Sequence, residues 1–105
     1  MDHIASPAAL TFWLARGLWG EVHPKLRQAS IEADEKARVV RLRFEYDGDA
    51  TGLAQESCSC AATSVIADFP SSWELDEQHV ARTVPSVLSP LRHVVYLRWE
   101  PDDVV

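Results

Sequence analysis

The first apolar run of the chain has helical spacing. It follows an N-cap residue, Ser6, with Pro7 at the first helical position, and it ends at Gly20. One stripe of this helix is formed by Leu10, Trp13, Leu14, Gly17 and Leu18. Phe12 and Trp19 fall on the opposite side. Either a second layer covers these two rings, or they form an exposed aromatic pair at an interface.

Two strands are predicted next, from Leu26 to Ala33 and from Ala37 to Tyr46, with a polar turn between them. The second is the clearest strand of the chain, because apolar and polar residues alternate strictly along it. One face is therefore core and the other polar, as in an antiparallel sheet with one wet side. On the polar face we expect Arg41, Arg43 and Arg98 to pair across strands with Glu45 or Glu32.

The second half of the chain predicts a helix and two further strands. The helix runs from about Thr51 to Asp68 and Pro70 stops it, while Asp68 at its end requires a compensating partner. A weak edge strand from Trp73 to Thr83, a loop from Val84 to Arg92, a strand from His93 to Glu100 and a frayed tail complete the chain. The prediction is a single α+β domain over residues 1–105, with a mainly antiparallel four-stranded sheet and two helices in the order α-β-β-α-β-β.

No motif of an enzyme, metal or cofactor site is found in the sequence. Cys58 and Cys60 lie two apart on a helix and point in nearly opposite directions, so we expect one buried and one exposed thiol. The histidines fall in different elements, and His79 is expected to be exposed, although a pair with Asp76 or Glu77 is the alternative. We therefore predict no catalytic residues, no metal and no cofactor.

The charge is distributed unevenly along the chain. The segment from Phe44 to Ala81 contains eight carboxylates and no Lys or Arg, whereas the rest holds eight acids and ten basic residues. A negative electrostatic field attracts cationic partners and speeds their encounter, so the segment predicts a basic protein partner. The same balance argues against direct nucleic-acid binding.

The beginning of the chain and its cysteine count indicate a cytoplasmic protein. The N-terminal residues lack the pattern of a signal peptide, no stretch is long enough to span a membrane, and two cysteines are too few for a disulfide scaffold. We therefore expect no membrane partner.

Several segments together resemble the small bacterial immunity proteins of contact-dependent growth inhibition and related polymorphic toxin systems, the CdiI-type family. The resemblance spans residues 18–100 and rests on the ordered set Pro24-Lys25-Leu26-Arg27, Phe44-Glu45-Tyr46-Asp47-Gly48, Ser57-Cys58, Val65-Ile66-Ala67-Asp68-Phe69-Pro70 and Tyr96-Leu97-Arg98-Trp99-Glu100. It implies a noncatalytic cytosolic protein that binds the C-terminal toxin domain of an effector and blocks it. Such toxins are often nucleases with basic surfaces.

The resulting hypothesis is an immunity protein that occludes the active or substrate-binding site of a toxin. Its expected toxin-binding residues are Asp47, Asp49, Glu56, Trp73, Glu74, Asp76 and Glu77. The alternative is an acidic regulatory or adaptor domain that binds another basic protein, with a homodimer through the Phe12/Trp19 face as one form of it.

Overall fold

The polypeptide forms two helices and one four-stranded sheet, in a computed structural model that describes residues 5–101. Along the chain the elements are α1 (Pro7–Leu18), β1 (Leu26–Asp34), β2 (Val39–Tyr46), α2 (Gly52–Ala67), β3 (Glu74–Ala81) and β4 (His93–Leu97). The predicted α+β class and the number of elements are confirmed. The last strand ends three residues earlier than predicted, and the predicted frayed tail lies, apart from Pro101, outside the described residues.

The sheet is mixed, which corrects the prediction of a mainly antiparallel one. Its strand order is β3-β2-β1-β4, and β1 is antiparallel to both of its neighbours. The pairing of β2 with β3 is parallel. The physical reason is α2, whose 16 residues carry the chain back to the start of β2 before β3 begins, as a crossover between parallel neighbours must.

Both helices cover the same face of the sheet. The Oγ of Ser6 accepts a hydrogen bond from the Ala9 amide at 3.1 Å and so caps α1 as predicted. The helices touch at Gly17, where a Cβ atom would lie 2.8 Å from the carbonyl oxygen of Ala61. Beneath them the apolar face of β2 is completely buried, through Val40, Leu42, Phe44 and Tyr46.

A long loop covers the polar face of the sheet. Because β3 and β4 lie at opposite edges, the connection over residues 82–92 crosses the strands between them. Polar side chains of the sheet hold its backbone: Glu45, fully buried, accepts the Ser89 amide at 2.9 Å, and Ser30 accepts the Leu91 amide at 2.9 Å. The buried Arg27 donates to the carbonyls of Arg82 and Ser86. The loop backbone thereby supplies partners to the buried polar side chains of Arg27, Ser30 and Glu45.

The predicted cross-strand arginine pairs are confirmed in one case of three. Arg41 pairs with Glu32 at 3.5 Å. Arg43 instead donates to Gln78 and to the carbonyl of Ser89. Arg98 lies beyond β4 and pairs with Asp47 and Glu100, because the strand ends before it and its side chain turns toward the β2–α2 loop.

Candidate partner-binding surfaces

The acidic segment of the sequence folds into one half of the molecule. It spans the end of β2, the whole of α2 and β3, which together form a single crossover unit. Helix α2 packs on β3 and β2, whereas α1 packs on β1 and β4. We call the surface of α2, its preceding loop and β3 the acidic flank. It carries Asp49, Glu56, Glu74, Asp76 and Glu77.

The candidate acids differ in how far they are engaged. Asp49, Glu56 and Glu74 are exposed, and among residues 5–101 no ion pair involves any of them. Asp76 pairs with Arg41 at 3.2 Å, and its side chain keeps 41% exposure. These four carboxylates remain accessible to a partner.

Asp47 has a structural role on the other side of the β2–α2 loop. Its carboxylate accepts the Val84 amide at 3.0 Å and pairs with Arg98 at 3.1 Å. These two contacts, the Val84 amide first, lower the pKa of Asp47. The side chain therefore ties the crossing loop and the end of β4 to β2.

Glu77 belongs to a polar network between α2 and β3. Its Oε2 accepts a hydrogen bond from the Ser59 hydroxyl at 2.5 Å and lies 2.5 Å from Nε2 of His79. Nδ1 of His79 is 2.6 Å from the hydroxyl of Tyr46, and the imidazole stacks on Phe44. The prediction that His79 is exposed is wrong, since only 12% of its side chain is accessible, and the alternative pair with Glu77 forms. Both ring nitrogens have fixed partners, so the network joins a helix to a strand and presents no free base.

The two cysteines behave as the helical spacing predicts. Cys58 is buried and Cys60 is exposed. Burial raises the pKa of the Cys58 thiol to about 11, which keeps it neutral as a small apolar group of the core. In the part of the chain that the structure describes, no three His, Cys, Asp or Glu side chains are placed to hold a metal ion.

The acidic flank is a band and not a compact patch. Glu74 pairs with Val39 at the first residue of β2, whereas Asp49 follows the last residue of that strand. The eight residues of β2 that separate these two ends of the band span roughly 23 Å. Trp73 lies beside Glu74, half-buried, with its ring centroid 5.1 Å from that of Phe69.

The opposite edge of the sheet is apolar. We call the outer edge of β4 and its exposed neighbours the β4 edge; it comprises Trp19, Val22, Val94, Leu97 and Trp99. The two tryptophans are 87% and 83% exposed. Trp19 also lines a groove of about 320 Å³ with Val22, Val95 and Tyr96. Phe12 and Trp19 are both exposed, so the expectation that a second layer covers them is wrong.

Sequence reasoning missed the β4 edge as a candidate surface. The signal was present, because His93-Val94-Val95-Tyr96-Leu97 contains no Asp, Glu, Lys or Arg. Its significance depends on β4 lying at an edge of the sheet, which only the topology shows.

Residues 5–101 thus form a small α+β domain with two contrasting surfaces, an acidic flank and an apolar β4 edge. Residues 7–100 match the family described as MafI2 immunity protein, and the chain belongs to that family. It is thus an immunity protein, the class of protein that neutralises a cognate toxin. This confirms the general part of the sequence resemblance, although the matching family is MafI2 and not the CdiI-type family.

No curated protein matches the chain. No helix in the described range is long and apolar enough to cross a bilayer.

Proposed function

We propose that this immunity protein binds a basic nuclease, the C-terminal toxin domain of a contact-dependent inhibition or related polymorphic toxin system, through its acidic flank. Binding would occlude the active site or the substrate groove, in the cytoplasm where the toxin would otherwise act. The observation that carries the proposal is the set of three exposed acids, Asp49, Glu56 and Glu74, without an ion-pair partner among the described residues.

Charge chemistry favours a cationic partner at this flank. Carboxylates without internal partners contribute little to folding, and like charges on one surface repel one another. A basic surface relieves that repulsion and gains attraction over the whole band. A nuclease has such a surface because it must hold the phosphate backbone of its substrate. The immunity protein would therefore compete with the nucleic acid for the same groove.

Each predicted contact residue has a distinct part in this proposal. Asp49, Glu56 and Glu74 supply the free charge, and Asp76 adds to the field while held by Arg41. Trp73, half-buried beside Glu74, supplies apolar contact area. Asp47 and Glu77 act indirectly, since their carboxylates already have partners: Glu77 fixes α2 on β3, and Asp47 holds the crossing loop and Arg98 beside the β2–α2 loop.

The test begins with the product of the neighbouring toxin reading frame. Co-purification with this protein and loss of nuclease activity in the complex would establish the pair. Stopped-flow association is then measured for the triple variant Asp49→Asn/Glu56→Gln/Glu74→Gln at low and high salt. We expect association slower by about tenfold or more at low salt and a weaker dependence on salt, because steering depends on these charges.

A charge-preserving triple variant, Asp49→Glu/Glu56→Asp/Glu74→Asp, is the matched control and should associate like the wild type. Unchanged low-salt association of the charge-removed variant would show that the toxin docks elsewhere. Equal slowing in both triple variants would show that side-chain shape, and not charge, carries the contact.

A further inference from the structure

The two edges of the sheet are protected in different ways. Exposed strand edges offer unpaired amide and carbonyl groups, and natural proteins blunt them with charge. The β3 edge carries Glu74, Asp76 and Glu77, whereas β4 carries no Asp, Glu, Lys or Arg. Within residues 5–101 only β1 pairs with β4. The β4 edge is therefore open to a second strand.

Backbone direction at the end of β4 suits such a contact. The amide of Arg98 donates to the carbonyl of Arg27 on β1 at 2.8 Å. Because amides alternate in direction along a strand, the amide and carbonyl of Leu97 point away from β1. The register shifts between Ala29 and Ser30, which leaves Val95 as an extra residue opposite β1. Backbone pairing beyond β4 would thus be short, and apolar side chains must carry most of the contact.

Those side chains lie on both sides of the edge. Val94 and Leu97 pair with Ser30 and Gln28, the residues of β1 that face the crossing loop. Trp19 lies on the helix side, at the groove with Tyr96. A tryptophan buries roughly 150–250 Å², so Trp19 and Trp99 alone supply about half of the ~800 Å² per partner of a standard interface. With Leu97, Val94 and Val22 the area approaches that of a stable dimer.

Charge selects the occupant of this edge. A basic toxin finds no free carboxylate at this edge, because Asp47 and Glu100 beside it are already paired with Arg98 and Arg27. Within β4 a second copy of the chain meets no acidic or basic residue other than His93, and the charge of Arg98 beyond the strand is compensated by Asp47 and Glu100. The same copy placed against β3 would bring acids against acids.

We propose that two copies of this chain associate through their β4 edges, antiparallel about a two-fold axis, with Trp19, Leu97 and Trp99 at the contact. In the dimer the two acidic flanks lie at opposite ends of a continuous sheet. If the toxin docks on the acidic flank, as the proposed function holds, one dimer carries two toxin domains.

The test is the mass of the full-length protein in solution, measured by sedimentation equilibrium over a range of concentrations. We expect twice the 11.7 kDa monomer mass for the wild type. Leu97→Lys places two like charges in the symmetric interface, and we expect the dissociation constant to rise by at least roughly a hundredfold. The matched control is Leu53→Lys on α2, a similarly exposed leucine in the acidic half, which should remain dimeric.

A monomeric wild type at all concentrations would overturn the proposal, and so would a Leu97→Lys variant that remains dimeric. Dissociation by Leu53→Lys would place the interface on the other half. Circular dichroism checks the fold, and Trp99→Ser replaces Leu97→Lys if that variant unfolds. Toxin affinity separates this inference from the proposed function: Leu97→Lys should bind toxin as the wild type does. Loss of toxin binding in a folded Leu97→Lys variant would identify the β4 edge as the toxin site and overturn the dimer.

Discussion

The acidic flank and the β4 edge are held to the same sheet by different chemistry. Beside β4, the buried Arg27 donates to both carboxylate oxygens of the partly buried Glu100, at 2.8 and 2.9 Å. Arg98 extends this cluster to Asp47. In the acidic half, α2 and β3 are joined by the Ser59–Glu77–His79–Tyr46 network, which contains no Lys or Arg.

The contrast explains the uneven charge of the sequence. Most arginines of the chain are engaged in binding loops and carboxylates within the fold, namely Arg16, Arg27, Arg41, Arg43, Arg82 and Arg98. Six acids among residues 5–101 have no ion-pair partner: three on the acidic flank (Asp49, Glu56 and Glu74) and three at the α1–β1 loop and the β1–β2 turn (Glu21, Asp34 and Glu35). The acidic flank therefore carries free negative charge, whereas Asp47 and Glu100 beside β4 are compensated by arginines. Replacing residues on each side should have different consequences.

Arg27→Ala should have the largest effect on stability. The change leaves Glu100 without its main partner and frees two carbonyls of the crossing loop, while Arg27 itself is only 5% exposed. Removing one member of a buried pair typically costs about 3 kcal/mol or more. The measurement is urea denaturation. Arg16→Ala breaks the exposed pair with Asp68 and should cost less than about 1 kcal/mol. Equal losses in the two variants would contradict a special role of the β4 side.

Gly17→Ala should destabilise the protein where the two halves meet. In an ordinary helix the change would stabilise by about 1 kcal/mol. Here the new Cβ would lie 2.8 Å from a backbone oxygen of α2, so the helices must move apart, and overpacking of this kind costs about 1–3 kcal/mol. Thermal and urea unfolding give the sign directly. An increase in stability would show that the contact between α1 and α2 can relax freely.

Local sequence patterns were sufficient to predict the helices and strands. Contacts between residues far apart in the sequence could not be predicted from such patterns. The strict alternation of β2 and the stripes of α1 and α2 indicated each element, and the partner expected for Asp68 is Arg16. The parallel pairing of β3 depends on how α2 returns across the sheet, which no local pattern encodes. Arg27 was missed because its partners lie 55 to 73 residues away in the chain.

The same limit applies to the candidate site. The segregation of charge is visible in the positions of the acidic and basic residues along the sequence. That one half of the molecule is acidic was therefore predictable. Which acids are free was not, because Asp47 and Glu77 are engaged by residues distant in sequence, Val84 and Ser59. The β4 edge required knowledge of strand order.

Acid should weaken the β4 side through its carboxylates. The hydrogen bond from Arg27 lowers the pKa of Glu100 below its ordinary 4.5, and the contacts of Asp47 lower its pKa below 3.8. The folded state thus favours the ionised forms, and the unfolded chain takes up protons at higher pH. Their stabilisation is complete above these ordinary values and is lost as the pH falls below them. Urea midpoints between pH 7 and pH 3 measure the loss, and Glu100→Gln should reduce both the neutral stability and its acid dependence. An unchanged acid dependence in that variant would contradict the assignment.

The smallest effect is expected on the acidic flank, and it completes the comparison. Asp49→Asn/Glu56→Gln/Glu74→Gln removes three charges that have no ion-pair partner among residues 5–101, so the free energy of unfolding should change by no more than about 0.5 kcal/mol, or rise slightly as repulsion falls. Urea denaturation at low salt is the sensitive measurement. A large loss would mean that these acids stabilise the fold, and their free charge would then need no partner to explain it. An unchanged stability together with slow toxin association would separate the two sides completely: one whose charges hold the molecule together, and one whose charges are available to a toxin.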